Sequence, residues 1–313
     1  MLRTAILGAG GFLGAHLTRE LLAAGHSVLA VTRPGGDDWR LAGLDCAKAA
    51  AYSMDIDGMR ALLLAFRPQA IVHMAWSGVA NRHHDDSAQA DNVAATVRLA
   101  ALAAELRVGC FVGVGSQAEY GPQNRILRET DEIGPVTQYG RAKAEAGREA
   151  ARLCADRGVR FAWLRVFSLY GPMDNDGWLI PMAIHRLLRG EPVPLTGCEQ
   201  RWSFLHARDA AFAFRRVIEC DGAEGLFNLG HPEAPCLAET MIRLRDIADP
   251  RGVLDFGCLP YRPNGTMLLQ PDVSRLNRLG WQPRLTLDDG LRETVNWFAK
   301  RSVPRNSQDP EHR

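Results

Sequence analysis

Neither sign of charge is in excess in this sequence, because 37 lysines and arginines face 36 aspartates and glutamates. A chain with a formal net charge of +1 has no long-range field to attract nucleic acid or an acidic membrane surface. It also lacks any apolar stretch of the roughly 18 residues that can cross a bilayer. The apolar start, MLRTAIL, breaks into glycines without the cleavage site of a signal peptide. We therefore expect a soluble protein that binds neither nucleic acid nor membrane.

The sequence has no C-x-x-C pair, and its seven cysteines are scattered and odd in number. This spacing disfavours a disulfide framework and a structural zinc site, and it suits the reducing cytoplasm. The segment NRHHDDS, residues 81–87, offers several possible metal ligands, but adjacent side chains rarely converge on one ion. We predict no metal site, and we expect this segment to be a solvated loop over the active-site cleft.

The first half of the chain alternates short apolar runs with longer helical patterns. The apolar runs are TAILGA, SVLAVT, AIVHMA, CFVGVG and RFAWLRV, and the helical patterns span Phe12–Ala24, Met59–Phe66, Asn92–Leu106 and Gln138–Asp156. Strands separated by helices of this length predict right-handed crossovers and a parallel sheet with helices on both faces. After about Leu169 prolines and glycines crowd the sequence, which is typical of loops and pockets.

The predicted fold class is therefore α/β, a Rossmann-type doubly wound parallel sheet with a smaller C-terminal α/β substrate domain. We place the dinucleotide-binding domain at residues 1–170, completed by sheet segments from the second half. The substrate domain is expected at 171–300. Residues 301–313 are polar and aperiodic, so we expect a flexible tail.

A glycine-rich turn, ILGAGGFLG, lies between the first predicted strand and the first predicted helix. Gly8, Gly11 and Gly14 suit a sharp turn at which a pyrophosphate approaches the backbone without meeting a Cβ atom. The backbone N–H groups at the start of the helix, at Phe12 and Leu13, would face the phosphates. Because the turn stands at the first strand-to-helix junction, it predicts dinucleotide binding.

The second predicted strand ends at Arg33, where an NAD site usually has an acidic residue that binds the adenosine ribose. A carboxylate would repel a 2′-phosphate, whereas a guanidinium pairs with it through charge-assisted hydrogen bonds. Arg33 therefore favours NADP(H), with NAD(H) as the alternative. It could also be an ordinary arginine on an exposed strand end.

Tyr139 precedes Lys143 by four positions in QYGRAK, so both side chains lie on one helical face. A tyrosine ordinarily titrates near pH 10, and a lysine charge one turn away is expected to lower that pKa. Ser116 follows the strand CFVGVG at the carboxyl edge of the sheet, where doubly wound folds bind ligands. These three residues are predicted to be catalytic: Tyr139 transfers a proton, Ser116 orients the reacting oxygen and Lys143 tunes the tyrosine.

With these motifs the chain resembles the extended short-chain dehydrogenase/reductase family, which contains nucleotide-sugar epimerases, dehydratases and reductases. The resemblance runs from Leu2 to about Phe298. The glycine turn is similar to T-G-x-x-G-F-x-G, HMAW to H-x-A-A, NVAAT to N-V-x-G-T, and LRVFSLYGP to L-R-x-F-N-x-Y-G-P. Leu7 replaces the family's threonine, and Trp76 departs from its alanine.

The resemblance implies further site residues and an assembly. Beside the glycine turn, Arg33, Tyr139 and Lys143, it implies cofactor contacts from Asp55, Ile56, Met74, Ala75, Trp76, Asn92 and Val166. It implies that the substrate is a nucleotide-linked sugar, bound by Gln117, Ser168, Leu179, Leu195, Arg201 and Arg262. It also implies a homodimer in which two helices pair across the interface.

The residues that follow Ser116 limit the set of candidate reactions. Related dehydratases and decarboxylases carry acidic residues directly after this position, whereas here Gln117 and Ala118 follow and Glu119 falls one place late. Dehydration is therefore disfavoured, which leaves reduction of a 4-keto sugar and 4-epimerisation with a retained NAD. We favour NADPH-dependent reduction of the C4 ketone of a nucleoside-diphosphate 4-keto-6-deoxy sugar, because an epimerase gains nothing from the NADPH pool. A non-catalytic NADP-binding regulator is the alternative of another class, and an intact Ser-Tyr-Lys set argues against it.

Overall fold

A computed structural model describes residues 1–261 and 265–302. The strands in this part of the chain are Arg3–Leu7 (β1), Ser27–Thr32 (β2), Ala47–Ala50 (β3), Ala70–His73 (β4), Cys110–Ser116 (β5), Ile126–Leu127 (β6), Arg160–Val166 (β7), Ser168–Tyr170 (β8), Val193–Pro194 (β9), Arg201–Trp202 (β10), Phe204–His206 (β11), Gly225–Leu229 (β12), Leu254–Asp255 (β13) and Leu268–Pro271 (β14). The α-helices are Phe12–Ala23 (α1), Ile56–Phe66 (α2), Gln89–Glu105 (α3), Gln138–Asp156 (α4), Leu179–Leu188 (α5), Ala207–Glu219 (α6), Leu237–Ala248 (α7), Ser274–Arg278 (α8) and Leu287–Ser302 (α9). Short 3-10 turns span Trp39–Leu41, Asn81–His83 and Gln117–Glu119.

A central parallel sheet of seven strands, in the order β12-β7-β5-β4-β1-β2-β3, organises the molecule. The order reverses between β1 and β4, since β2 and β3 lie on one side and the later strands on the other, as in doubly wound sheets. The five predicted apolar runs form β1, β2, β4, β5 and β7. The predicted fold class is confirmed. The seventh strand, β12, comes from the second half of the chain and pairs with β7.

One edge strand, β3, was not predicted from the sequence. Its residues AKAA have low β-propensity and are mostly exposed, so they lack the apolar run that marks the other strands. The strand forms because it pairs in parallel with β2 from Leu29 to Thr32. Tertiary pairing therefore overrides the local preference of these residues.

Helices cover both faces of the sheet with separate apolar cores. On one face α1 and α6 pack together, with Leu17, Leu21 and Phe214 fully buried. On the other face α2, α3 and α4 cover the sheet, and Leu99 and Trp163 lie in that core. This double burial explains why the strands are almost continuously apolar.

The second half supplies a smaller layer with its own apolar core. Helices α5, α7 and α9 pack against one another around Ile184, Leu187, Met241 and Leu244. The prolines and glycines of this half connect two- to four-residue strands, and β8 with β11 forms one of their pairs. Of the predicted tail, residues 301 and 302 still belong to α9, and residues 303–313 lie outside the described residues. Within the described ranges, none of the helices is both long and apolar enough for a membrane span.

Candidate active site

The glycine turn between β1 and α1 is closely packed and requires glycine at two positions. Gly8 has a φ of +89°, which glycine adopts readily, and a Cβ there would come within 2.7 Å of the backbone nitrogen of Ala75. A Cβ on Gly14 would meet the carbonyl oxygen of Gly8. Helix α1 begins at Phe12 behind Gly11, which offers no side-chain cap to the first-turn N–H groups. The open N–H groups at the start of α1 fit the diphosphate of a dinucleotide.

The other residues predicted to contact the cofactor are distributed around this turn. Arg33 follows β2 with an exposed side chain, and Met74 and Ala75 follow β4 next to Gly8. Asp55 is the N-cap of α2, where its carboxylate accepts a hydrogen bond from Gly58 N at 3.0 Å. Ile56, Met74, Ala75 and Val166 are half-buried.

Asn92 differs from its expected position, because its amide is occupied by the loop after β4. Its Oδ1 accepts from Ser77 N at 2.9 Å, and its Nδ2 donates to Ser77 O at 3.0 Å. The side chain is 8% exposed. Asn92 therefore fixes the loop that carries Trp76 rather than presenting its amide to an open groove.

The three predicted catalytic residues meet where β5 ends beside α4. Ser116 is the last residue of β5, and its hydroxyl lies close enough to the phenol of Tyr139 to influence the pKa of that phenol. Lys143 lies one turn further along α4 and donates to the carbonyl oxygen of Val114 in β5 at 2.8 Å. All three side chains are buried, with exposed fractions of 8% for Ser116, 7% for Tyr139 and 3% for Lys143.

The expectation that Lys143 lowers the pKa of Tyr139 is wrong for this arrangement. Burial raises the pKa of Tyr139 to about 12, and the hydrogen bond from Ser116 only partly opposes it. Burial also lowers the pKa of Lys143 to about 7, against the opposing charge of Glu119. Desolvation is thus the largest cause at both groups, and it outweighs Ser116 at Tyr139 and the charge of Glu119 at Lys143. At neutral pH Tyr139 keeps its proton, which suits a proton donor.

Trp76, which departs from the family pattern, covers Lys143. The Lys143 ammonium lies 3.6 Å from the centre of the Trp76 ring, a distance at which the π face attracts a cation. The indole Nε1 donates to Gln89 Oε1 at 2.9 Å, which fixes the ring. The contact of Trp76 with the cofactor stays a prediction, and in this structure the Trp76 ring covers the lysine.

Glu119 supports the serine from behind, a role that the sequence did not reveal. Its carboxylate is 1% exposed and accepts from Ser116 N at 2.8 Å and from Trp163 Nε1 at 3.0 Å. The second oxygen accepts from Arg165 Nε at 2.7 Å, in an ion pair buried below the serine. Because all these contacts lie within the protein, Glu119 holds Ser116 rather than contacting a substrate.

The segment 81–87 was predicted to be a solvated loop, and part of it lies directly on Tyr139. The imidazole of His84 stacks on the Tyr139 ring, with centroids 4.4 Å apart and planes 7° apart. His83 pairs instead with Asp86 at 2.8 Å, toward solvent. Within the described ranges, no group of three or more His, Cys, Asp or Glu side chains is placed to hold a metal ion.

The residues predicted to bind substrate are not all brought together. Gln117 follows Ser116 in the 3-10 turn and is half-buried, as is Leu179 at the start of α5. Ser168 accepts a hydrogen bond from Trp202 Nε1 at 2.7 Å, and Arg201 is exposed in β10. Leu195 is 2% exposed in the core of the second layer, so its side chain does not reach a cleft. Arg262 lies outside the described residues.

The low pKa of Lys143 gives a pH-dependent stability. Because that pKa falls from 10.5 to about 7 on folding, the unfolded chain binds one more proton between these pH values. The destabilisation caused by burying Lys143 is therefore absent above pH 10.5, and it increases as the pH falls toward 7. Lys143→Met is expected to be more stable than the wild type at pH 7 in urea unfolding. The difference in the free energy of unfolding between variant and wild type should decrease by up to about 1.4 kcal/mol for each unit by which the pH rises above 7.

The control for this experiment is Lys48→Met. Lys48 also donates to a backbone carbonyl, that of Leu41, but its side chain is exposed. The difference between this variant and the wild type should stay constant over the same pH range. A Lys143→Met difference that is equally constant would contradict the proposed effect of burial.

The sequence and the fold of this chain are similar to those of known proteins. A sequence profile described as the NAD dependent epimerase/dehydratase family matches residues 4–230. CDP-abequose synthase from Salmonella muenchen is 24% identical over 92% of this chain and 95% of its own length. UDP-glucuronic acid decarboxylase 1 from Arabidopsis thaliana is 26% identical over 96% of this chain and 70% of its own. The crystal structure of Thermus thermophilus UDP-glucose 4-epimerase in complex with NAD shares the fold, with a TM-score of 0.85, 22% identity and coverage of 96% and 100%.

Proposed function

Because the chain belongs to the NAD dependent epimerase/dehydratase family, we propose that it reduces the C4 ketone of a nucleoside-diphosphate 4-keto-6-deoxy sugar with NADPH. The similar proteins described above are named for CDP- and UDP-linked compounds, which supports a nucleotide-linked sugar as the substrate class. The glycine turn, whose helix donors are open, supports a dinucleotide as the cofactor. On this proposal residues 171–300 mainly hold the sugar nucleotide.

The observation that carries the proposal is the placement of Ser116, at the end of β5, next to a Tyr139 that is protonated at neutral pH. When bound, a reduced nicotinamide supplies a hydride to the carbonyl carbon. Ser116 orients the carbonyl oxygen, and Tyr139 donates its proton to that oxygen as negative charge develops on it. Ketone, hydride and proton together give the alcohol. With a pKa of about 12, Tyr139 carries its proton at neutral pH and can donate it.

Elimination and decarboxylation have no suitable second proton carrier beside Ser116. The two residues after the serine are Gln117 and Ala118, which cannot transfer protons. Glu119 is the first acidic residue in that turn, and its two oxygens are engaged by Ser116, Trp163 and Arg165. These contacts support reduction or epimerisation over dehydration.

The second candidate function is 4-epimerisation with a retained NAD. It is favoured by one observation, the shared fold with a UDP-glucose 4-epimerase crystallised with NAD. The cofactor separates the two candidates, because a reductase consumes NADPH and an epimerase returns its hydride. A protein that binds NADPH but turns over neither kind of substrate would be the non-catalytic regulator.

Arg33 carries the proposed preference for NADPH. Its guanidinium is exposed beside the glycine turn, and it can pair with a 2′-phosphate. Arg33→Ala is expected to raise the KM for NADPH by about tenfold to a hundredfold, the range of one hydrogen bond to a charged group. The KM for NADH serves as the internal control and should change little. An equal change for both cofactors would contradict the assignment.

The direct assay of the proposal mixes purified protein, NADPH and 4-keto-6-deoxy nucleotide sugars with different bases. Loss of absorbance at the reduced nicotinamide band is the expected result. A 4-epimerised product without consumption of NADPH would favour the epimerase. The predicted homodimer is also part of the proposal, and sedimentation equilibrium of the purified chain tests it.

A further inference from the structure

We infer that His84 is a positioning residue that holds the ring of Tyr139 in place, an inference that rests on the proposed role of Tyr139 as proton donor. The two rings are almost parallel, with planes 7° apart and centroids separated by 4.4 Å. The edge of the Trp76 ring packs against Tyr139 as well, at 6.2 Å and 87°. The phenol ring is therefore bounded on one face by His84 and on another side by Trp76.

His84 is itself fixed by several contacts, so the stack is more than a chance encounter of a surface ring. Its Nε2 donates to the carbonyl oxygen of Val79 at 2.9 Å. Its own carbonyl oxygen accepts from the backbone nitrogen of Tyr139 at 2.7 Å. The carboxylate of Asp85 accepts from Gln138 N at 3.0 Å, at the start of α4. Segment 79–85 is thus attached to the N-terminal end of α4, the helix that carries Tyr139.

The loop is anchored from below by Gln89 in the first turn of α3. Its Nε2 donates to the carbonyl oxygens of Gly78 and His83, each at 3.0 Å, and its Oε1 accepts from Trp76. Gln89 is 3% exposed, so these bonds are shielded from water. One buried amide therefore fixes the Trp76 ring and the backbone directly before His84.

This arrangement limits where the phenol oxygen can point. With His84 over the ring, Tyr139 keeps its hydroxyl directed toward Ser116, and proton transfer depends steeply on such placement. Without the stack the ring gains freedom on that face, while cofactor and substrate contacts elsewhere are untouched. The loss should therefore fall on kcat and leave KM nearly unchanged.

The test compares His84→Ala with its neighbour variant His83→Ala, which removes the same side chain from the same loop without touching Tyr139. His84→Ala is expected to lower kcat by about tenfold, the factor that the loss of one aromatic pair produces, with little change in KM. His83→Ala should leave both constants unchanged. His84→Phe keeps a flat ring and should recover most of kcat. Equal kcat values for the two alanine variants would overturn the inference.

A spectroscopic readout in the absence of substrate keeps the inference separate from the proposed function. The chain has five tyrosines, so ring-13C tyrosine labelling gives few resonances, and Tyr139→Phe identifies that of Tyr139. His84→Ala should shift this resonance and His83→Ala should not. An unmoved resonance in His84→Ala would overturn the inference even if kcat fell. If no keto sugar is turned over, the proposed function fails, and the resonance still decides whether His84 holds the ring.

Discussion

Tyr139→Phe is expected to lower kcat by about 10²-fold to 10⁴-fold, the usual contribution of a positioned proton donor. The change removes only the hydroxyl that lies next to Ser116. The ring remains, with its contacts to His84 and Trp76, so the fold should persist. Steady-state kinetics with NADPH and a 4-keto sugar measure the effect, and NADPH binding should be nearly unchanged.

The matched control is Tyr170→Phe, which also removes a hydroxyl from a buried tyrosine. The Tyr170 hydroxyl donates to the carbonyl oxygen of Leu287 at 3.3 Å, in the second layer of the fold. This variant should keep kcat within a small factor of the wild type. If Tyr139→Phe were as active as Tyr170→Phe, another group would have to supply the proton, and the assignment of Tyr139 would be wrong.

Glu119→Ala is expected to lower the free energy of unfolding by about 3–5 kcal/mol, because it leaves a buried charge without its counter-ion. That charge belongs to Arg165, which is 5% exposed and has its Nε bonded to Glu119. The change also removes the acceptor for Ser116 N, so activity should fall together with stability. Urea unfolding followed by circular dichroism measures the loss.

Two further variants separate this ion pair from a general effect of mutation. Glu293→Ala removes the partner of Arg208 in a pair that is more exposed, and solvent screening should leave the urea midpoint nearly unchanged. The double variant Glu119→Ala, Arg165→Met removes both charges and should recover much of the lost stability. A double variant no more stable than Glu119→Ala would show that the unpaired arginine is not the cause.

The sequence predicted the sheet well where the signal is local. Apolar runs such as SVLAVT and RFAWLRV are buried on both faces, so their composition is sufficient to identify β2 and β7. The helix Gln138–Asp156 was predicted with its observed bounds, because its apolar face is regular and Thr137 caps its start. Strand β3 could not be found in this way, since it depends on pairing with β2.

The candidate catalytic residues were predicted by motif, but the direction of their pKa shifts was not. Spacing places Tyr139 and Lys143 on one face of a helix, and it says nothing of how deeply that face is buried. Lys143 lies under Trp76 and against Val114 O, so desolvation dominates its pKa. The sign of the effect on Tyr139 therefore required the structure.

Three other residues show what a linear reading misses. Glu119 stood in the sequence as an acid one place late, and only the fold brings Arg165 to it from 46 positions away. His84 was interpreted as a possible metal ligand on a solvated loop, because its contact with Tyr139 joins two elements that are distant in the sequence. Leu195 was expected at the substrate, and it packs in the second core, directly after β9 pairs with β13.

We propose that this chain catalyses the transfer of a hydride from NADPH to a ketone carbon and of a proton from Tyr139 to the ketone oxygen. The most direct test supplies NADPH deuterated at the transferred position together with the 4-keto sugar nucleotide, and examines the product by mass spectrometry and NMR. The account predicts one deuterium on C4 of the sugar for each NADPH oxidised. A deuterium-free product, formed while the reduced cofactor is unchanged, would contradict it.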